Sequence, residues 1–344
     1  MRRKTTCGYR KIVLCNSEST WSLTRSMVSF QATIGAILGV FLLGALGYFA
    51  FRRRLISQHG LTEISRVLID LCLPAALFYA MFVQYDPTKT SVLWFVGSAQ
   101  LLFLVVGMLA MWGLATLWRP PQPIGTLCGL ASLQNNVYLP LPIALAVLGP
   151  SKHIEVQFVI GCFVLFFTPI LWSVGVVLLT RSHTEHAGWW SLAKKGLNPP
   201  FFAAIAGLGA KMLWLNTGWQ SPKLLLDVLQ MLGNATVPLA MLVLGGMLAE
   251  TQISKALEWR GITAVALVKL LIVPVSALVF LRLVPIADPV VRFIILLEGT
   301  MPPATNISII VRRFGGETDF VATTTFVTYL ACLFTVPLWL LLSP

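Results

Sequence analysis

Charge is what this sequence has least of. Asp, Glu, Lys and Arg make up 11% of its 344 residues and 57% are hydrophobic, against about 25% charged in soluble domains. Mean hydropathy is +0.81. Too few polar groups remain to cover a globule, so the solvent of this chain is a lipid bilayer. Signatures of catalysis are missing as well. The chain has no G-x-S-x-G, no H-E-x-x-H and no G-x-x-x-x-G-K-[ST], so it shows no equipment for intramembrane hydrolysis or ATP-driven transport. It reads as neither an enzyme nor a cofactor protein. Cysteine pairing is absent from the pattern: Cys72, Cys128, Cys162 and Cys332 fall in apolar segments without C-x-x-C spacing, and Cys7 and Cys15 lie in a polar tail, which indicates neither a disulfide framework nor a zinc site. His183-Thr-Glu-His186 has metal-ligand spacing but reads as a solvated loop, and no metal is assigned. The first 26 residues are basic and hold no continuous apolar stretch, so they form no secretory signal. They read as a polar extension, with translation starting at Met27.

Positive charge is present in excess, 25 Lys and Arg against 13 Asp and Glu. These residues stand singly or in short clusters between apolar runs, which makes them topology markers and excludes a nucleic-acid footprint. The apolar runs predict an all-α protein of ten spans: 32–51, 64–82, 92–118, 126–148, 156–179, 199–215, 224–248, 262–283, 290–310 and 321–342. Connections after odd-numbered spans carry twelve Lys and Arg, from Arg52 to Arg313, and the others carry six, from Lys89 to Arg292. The positive-inside rule then places the odd connections in the cytoplasm and both termini outside, in a cell membrane.

A polar connection, 183–198, separates a first half, 27–182, from a second, 199–344. The halves resemble each other: Leu73-Pro74-Ala75 matches Val237-Pro238-Leu239, and Phe167-Thr168-Pro169 matches Phe334-Thr335-Val336-Pro337. Five spans is an odd number, so two such halves insert with opposite orientation as inverted repeats.

Spans four and nine carry the chemistry. Span four reads Gln134-Asn135-Asn136-Val137-Tyr138-Leu139-Pro140-Leu141-Pro142, and span nine reads Glu298-Gly299-Thr300-Met301-Pro302-Pro303-Ala304-Thr305-Asn306. Paired prolines remove helical hydrogen bonds and obstruct the preceding turn, so each helix breaks there. Unwound backbone at membrane depth is tolerated only where it is buried or lines a cavity. Two such breaks at corresponding places predict a substrate site formed by Asn135, Asn136, Pro140, Pro142, Pro302, Pro303 and Asn306, with half-helix N-termini and amide donors facing a small organic anion. The alternative is a pair of packing kinks. Glu298, Lys269 and Asp70 are the ionisable groups inside spans and the candidates for ion coupling. Glu298 either binds a coupling proton or cation or neutralises Lys269, and Asp70 either bonds Arg66 or freed backbone or serves the site. Gly35, Gly39, Gly44 and Gly47 in span one, with Ala203 and Gly207 in span six, fit close helix packing within the chain or at a dimer face.

Gly47-Tyr48-Phe49-Ala50-Phe51-Arg52-Arg53-Arg54, Leu73-Pro74-Ala75-Ala76-Leu77-Phe78, Leu197-Asn198-Pro199-Pro200, Pro302-Pro303-Ala304-Thr305-Asn306 and Arg313-Phe314-Gly315-Gly316 together resemble the auxin efflux carrier family, especially its bacterial members. The resemblance runs from about Met27 to the carboxyl end. It implies two inverted five-helix repeats, a scaffold and homodimer interface of spans one, two, six and seven, and a moving unit of the other six spans with crossed, broken helices four and nine. Asn135 matches the asparagine that binds the carboxylate in the plant carriers, although Gln134 replaces the proline usual before it, and Asn306 matches the bacterial pattern. Bacterial relatives are associated with malate and malonate and plant relatives with indole-3-acetate. The short 181–198 loop favours a small carboxylate, a dicarboxylate such as malate or malonate. The expected function is secondary transport by alternating access. The alternatives are a sodium-coupled, bile-acid-type symporter and a non-transporting sensor of such a ligand.

Overall fold

The computed structural model describes residues 30–180, 198–218, 222–250 and 258–342. The Met27 start, His183, His186 and nearly all of the 183–198 connection lie outside the described residues.

Among those residues the regular structure is helical. Helices α1 (Phe30–Arg52), α2 (Gln58–Gln84), α3 (Pro87–Trp118), α6 (Pro150–Thr180), α8 (Lys223–Glu250), α9 (Trp259–Leu283) and α12 (Thr318–Leu341) contain the seven segments long and apolar enough to cross a membrane. Helix α7 (Pro199–Thr217) is long enough, but two prolines, Lys211 and Asn216 dilute its apolarity. The other two predicted spans are each two short helices. These are α4 (Ile124–Ser132) with α5 (Pro140–Leu148), and α10 (Pro289–Gly299) with α11 (Asn306–Phe314).

Some of the small residues make close contacts inside the chain. Helix α1 lies along α8, where Gly47 meets the Leu242 backbone and Gly245 meets the Gly44 carbonyl. Gly207 of α7 sits against Phe78 of α2. A methyl group at any of these three positions would strike backbone. The Cβ directions of Gly35 and Gly39 are open.

Two of the prolines within helices are absorbed by wider turns. Pro74 cannot donate to the Asp70 carbonyl, and residues Leu68–Cys72 of α2 widen into a π turn. Pro274 acts alike in α9, where the π turn is Val268–Ile272. The Leu270 carbonyl that Pro274 leaves without its helical donor accepts the indole Nε1–H of Trp339 at 2.8 Å. Of the partners the sequence allowed Asp70, Arg66 is corrected here. Arg66 pairs with Glu63 at 3.0 Å, because a helical side chain leans toward the N-terminus and therefore away from position 70. Asp70 is left exposed on the π turn.

Candidate functional site

The two interruptions, 133–139 and 300–305, meet in the molecule. Gln134 and Pro303 form an isolated antiparallel bridge. The Asn135 N–H donates to the Pro302 carbonyl at 2.8 Å, and the Ala304 N–H donates to the Leu133 carbonyl at 2.9 Å. Each interruption thus supplies the hydrogen bonds that the other lost when its helix stopped. In a lipid environment that exchange matters, since a backbone group without a partner costs several kcal/mol.

The prolines have two different parts in this. Pro140 and Pro142 lie in the first turn of α5, where the N–H would be free in any case. Since neither ring has an N–H and Leu141 donates to Val137 at 3.2 Å, the expected array of free donors at this half-helix is reduced. Pro302 and Pro303 lie in the non-helical connection, where the Pro302 carbonyl and the Ala304 N–H that flank Pro303 make the bridge.

Side chains lock the first interruption. The Asn135 Oδ1 accepts from the backbone N–H of Val137 at 3.2 Å and of Tyr138 at 3.0 Å, an Asx turn that sets the start of α5. Its Nδ2 donates to the hydroxyl of Tyr329 on α12 at 2.6 Å. Gln100 of α3 receives on its Oε1 both the Gln134 Nε2 and the Asn136 Nδ2, each at 3.0 Å. Gln100, Gln134, Asn135 and Asn136 are all buried. The Gln100 Nε2, Gln134 Oε1 and Asn136 Oδ1 keep no partner.

Beside the crossing is a cavity of about 160 Å³. Asn135, Asn136 and Asn306 reach it, together with Thr168, Trp172 and Asn198. Phe167, Leu171, Tyr138 and Ile309 supply apolar wall, and no charged side chain is among the described lining residues. The Trp172 Nε1–H is buried and unpartnered. The Asn306 carboxamide has no hydrogen bond to a described side chain or backbone group and stands at the first position of α11. The three asparagines singled out from sequence thus line one cavity, but they differ in availability: Asn135 is largely committed, Asn136 offers an acceptor, and Asn306 is free. Pro140, Pro142, Pro302 and Pro303 shape the crossing without lining the cavity. Trp172 and Gln100 were not singled out from sequence, and Thr168 and Asn198 entered only as members of repeat and family motifs. Gln100 carried a signal, a lone amide in an otherwise apolar helix, whereas Trp172 carried none.

Glu298 and Lys269 are fully buried on α10 and α9. The ion pair that the sequence allowed is not closed: the Lys269 Nζ and both Glu298 oxygens lack a hydrogen-bond partner. Asp70 does not line the cavity, although its neighbours Ile69 and Leu73 do.

A family model described as "Membrane transport protein" matches residues 32–188 and 189–340. An uncharacterized transporter of Methanocaldococcus jannaschii is 22% identical over 313 residues, 88% of this chain and 96% of its own length. One from Methanothermobacter thermautotrophicus is 24% identical over 317 residues, 90% of this chain and 98% of its own. Protein PIN-LIKES 7 of Arabidopsis thaliana is 30% identical over 153 residues, 41% of this chain, and the match spans only 38% of the plant protein. The apolar helices and the family match over nearly all of 32–340 lead to one conclusion: the chain is a multi-pass integral membrane protein that belongs to the auxin efflux carrier family of membrane transport proteins.

Proposed function

We propose that this protein is a secondary active transporter of a small organic anion, working by alternating access. The observation that carries the reading is the crossing itself. Two interrupted helices pair backbone to backbone beside a cavity whose polar groups, among the described lining residues, are neutral amides, hydroxyls and an indole N–H. Neutral donors can hold a carboxylate without burying a compensating charge, which suits a ligand that must also leave. In this reading the chain has ten spans in two inverted five-helix repeats, α4–α5 and α10–α11 being the broken fourth and ninth. It pairs into a homodimer through α1, α2, α7 and α8 and resides in the cell membrane. The electrochemical gradient drives it, and Glu298 and Lys269 are the groups on which ion coupling turns; Asp70, the third candidate, stands apart on an exposed face.

Malate or malonate is the expectation from family resemblance. A second reading has a specific observation behind it: the cavity wall of Phe167, Leu171, Trp172 and Ile309, with no charged side chain among the described lining residues, favours a single carboxylate on an apolar body. A second carboxylate here would be desolvated without a cation to meet it. The test is a panel of radiolabelled organic acids, with malate, malonate and aromatic monocarboxylates compared in proteoliposomes containing the purified protein. Saturable uptake of a carboxylate is expected. Binding without uptake would replace the carrier with a sensor, and neither binding nor uptake of any acid would overturn the reading.

A further inference from the structure

Helix α6 brings two hydrogen-bonding side chains to the cavity and uses neither of them itself. Thr168 and Trp172 both line it, and a spacing of four puts them on one face of the helix. A hydroxyl inside a helix commonly bonds back to a carbonyl one turn earlier. Ser132, Thr180 and Thr328 of this chain do so at 2.7, 2.7 and 2.8 Å. The Thr168 side chain, only 4% exposed, makes no such bond and has no other hydrogen-bond partner among the described residues. The Trp172 Nε1–H is buried and likewise unpartnered. Trp172 stands in a π turn, Leu171–Gly175, a departure from α-helix that is frequent at functional sites.

A second pair of polar side chains reaches the cavity from the start of α11. Thr305, 8% exposed, is the N-cap residue but makes no side-chain cap bond, and the Asn306 carboxamide beside it is free. The two pairs differ in electrostatic character. The amino end of α11 carries the positive end of a helix dipole and favours negative charge, whereas Thr168 and Trp172 lie well inside α6 and have no such field. Phe167, Leu171 and Ile309 add apolar wall. A carboxylate against α6 would lose its water with neither a cation nor a helix terminus to replace it. A neutral oxygen there would take the Trp172 N–H and the Thr168 O–H.

We propose, on the single-carboxylate reading above, that Thr168 and Trp172 form a second recognition pole for a neutral oxygen, so that the favoured ligand is a monocarboxylate with a hydroxyl or carbonyl group at the end away from its carboxylate. Both are specificity-determining residues in this arrangement, and the carboxylate belongs to the α11 end.

Three acids with one skeleton decide it. Phenylacetate, 4-hydroxyphenylacetate and 4-carboxyphenylacetate place hydrogen, a hydroxyl or a second carboxylate at the far end of the same ring. Their affinities for the purified full-length protein in detergent are measured by calorimetric titration. The hydroxy acid is expected to bind roughly tenfold tighter than phenylacetate, and the dicarboxylate more weakly than either. Thr168→Val, which keeps shape and removes the hydroxyl, and Trp172→Phe, which removes the N–H, are each expected to weaken the hydroxy acid roughly threefold to tenfold and leave phenylacetate unchanged. Thr168→Ser is expected to keep the preference. A merely structural role would weaken both monocarboxylates alike and would overturn the proposal. Equal affinity of the parent for phenylacetate and 4-hydroxyphenylacetate would do so as well, as would tightest binding of the dicarboxylate or binding of none of the three. These parent rankings decide even where a variant does not accumulate. Uptake of malate or malonate with none of the three bound would overturn this inference and leave the carrier reading standing. The expected ranking in binding, without uptake of any acid, would sink the carrier reading and leave the second pole in place.

Discussion

The two interruptions that meet at the crossing are built on different principles. Residues 133–139 are held by side chains: Asn135 caps the local turn and reaches Tyr329, while Gln134 and Asn136 are both tied to Gln100. Residues 300–305 are held mostly by backbone, with the Thr300 hydroxyl on the Leu297 carbonyl and the Cys332 thiol on the Thr300 carbonyl as the side-chain contributions. Two successive prolines keep the chain extended, Thr300 and Met301 finish α10 through hydrogen bonds to its last carbonyls, and Asn306 is left uncommitted. A rigid segment thus faces one whose nearest amide is free. The difference teaches that, in a site made of three asparagines, shared residue type does not mean shared work. Asn135 is committed to the architecture of the crossing, and in the proposed function Asn306 is the amide left to meet a ligand.

The largest expected effect breaks the rigid side. Asn135→Ala removes three hydrogen bonds and strands the Tyr329 hydroxyl and two backbone N–H groups, so it should cost about 3 kcal/mol of stability and weaken ligand affinity at the same time. Thermal unfolding in detergent and ligand binding on the same sample check both. Asn306→Ala should separate the two properties. Losing a hydrogen bond to a charged group costs about 1.5 to 3 kcal/mol, so affinity for the transported acid should fall roughly tenfold to a hundredfold with Tm unchanged. If Asn306→Ala lowers Tm as far as Asn135→Ala does, the contrast between the two sides fails. Tyr329→Phe should take only the outer part of the Asn135 anchor, about 1 kcal/mol of stability, and binding measured beside Tm should change less than in Asn306→Ala. Pro140→Ala should have the smallest effect. Position 140 opens α5 and needs no N–H, so the loss is limited to the chain stiffness proline contributed, about 0.4 to 1 kcal/mol, readable as a small shift in Tm.

What the sequence could reveal follows from which interactions are local. Proline pairs act on their own turn, so the interruptions in the fourth and ninth apolar runs were legible, and so was the identity of the three asparagines that the structure gathers at one cavity. Their separate duties were not. Those depend on Tyr329, 194 positions away from Asn135, and on Gln100, 34 positions before Gln134, pairings that no periodicity encodes. Asp70 shows the limit of reasoning by spacing alone. Arg66 stands one turn before it and suggested a partner, but side-chain direction on a helix sends the guanidinium to Glu63. Trp172 was invisible for a related reason: tryptophan is ordinary in an apolar helix, and only the cavity shows that its N–H has no partner.

The reciprocal backbone bonds at the crossing also set the order in which this protein can be made. Leu133 and Asn135 leave the ribosome long before Pro302 and Ala304, the residues that satisfy them. Through the synthesis of all the intervening helices, the first interruption must wait with its polar backbone unpaired, sheltered by water or by the insertion machinery. A nascent chain arrested before the second interruption therefore holds an unfinished helix pair that the bilayer does not welcome. The final helices complete the early part of the fold as well as their own, and quality control has a clear mark by which to tell a finished molecule from an abandoned one.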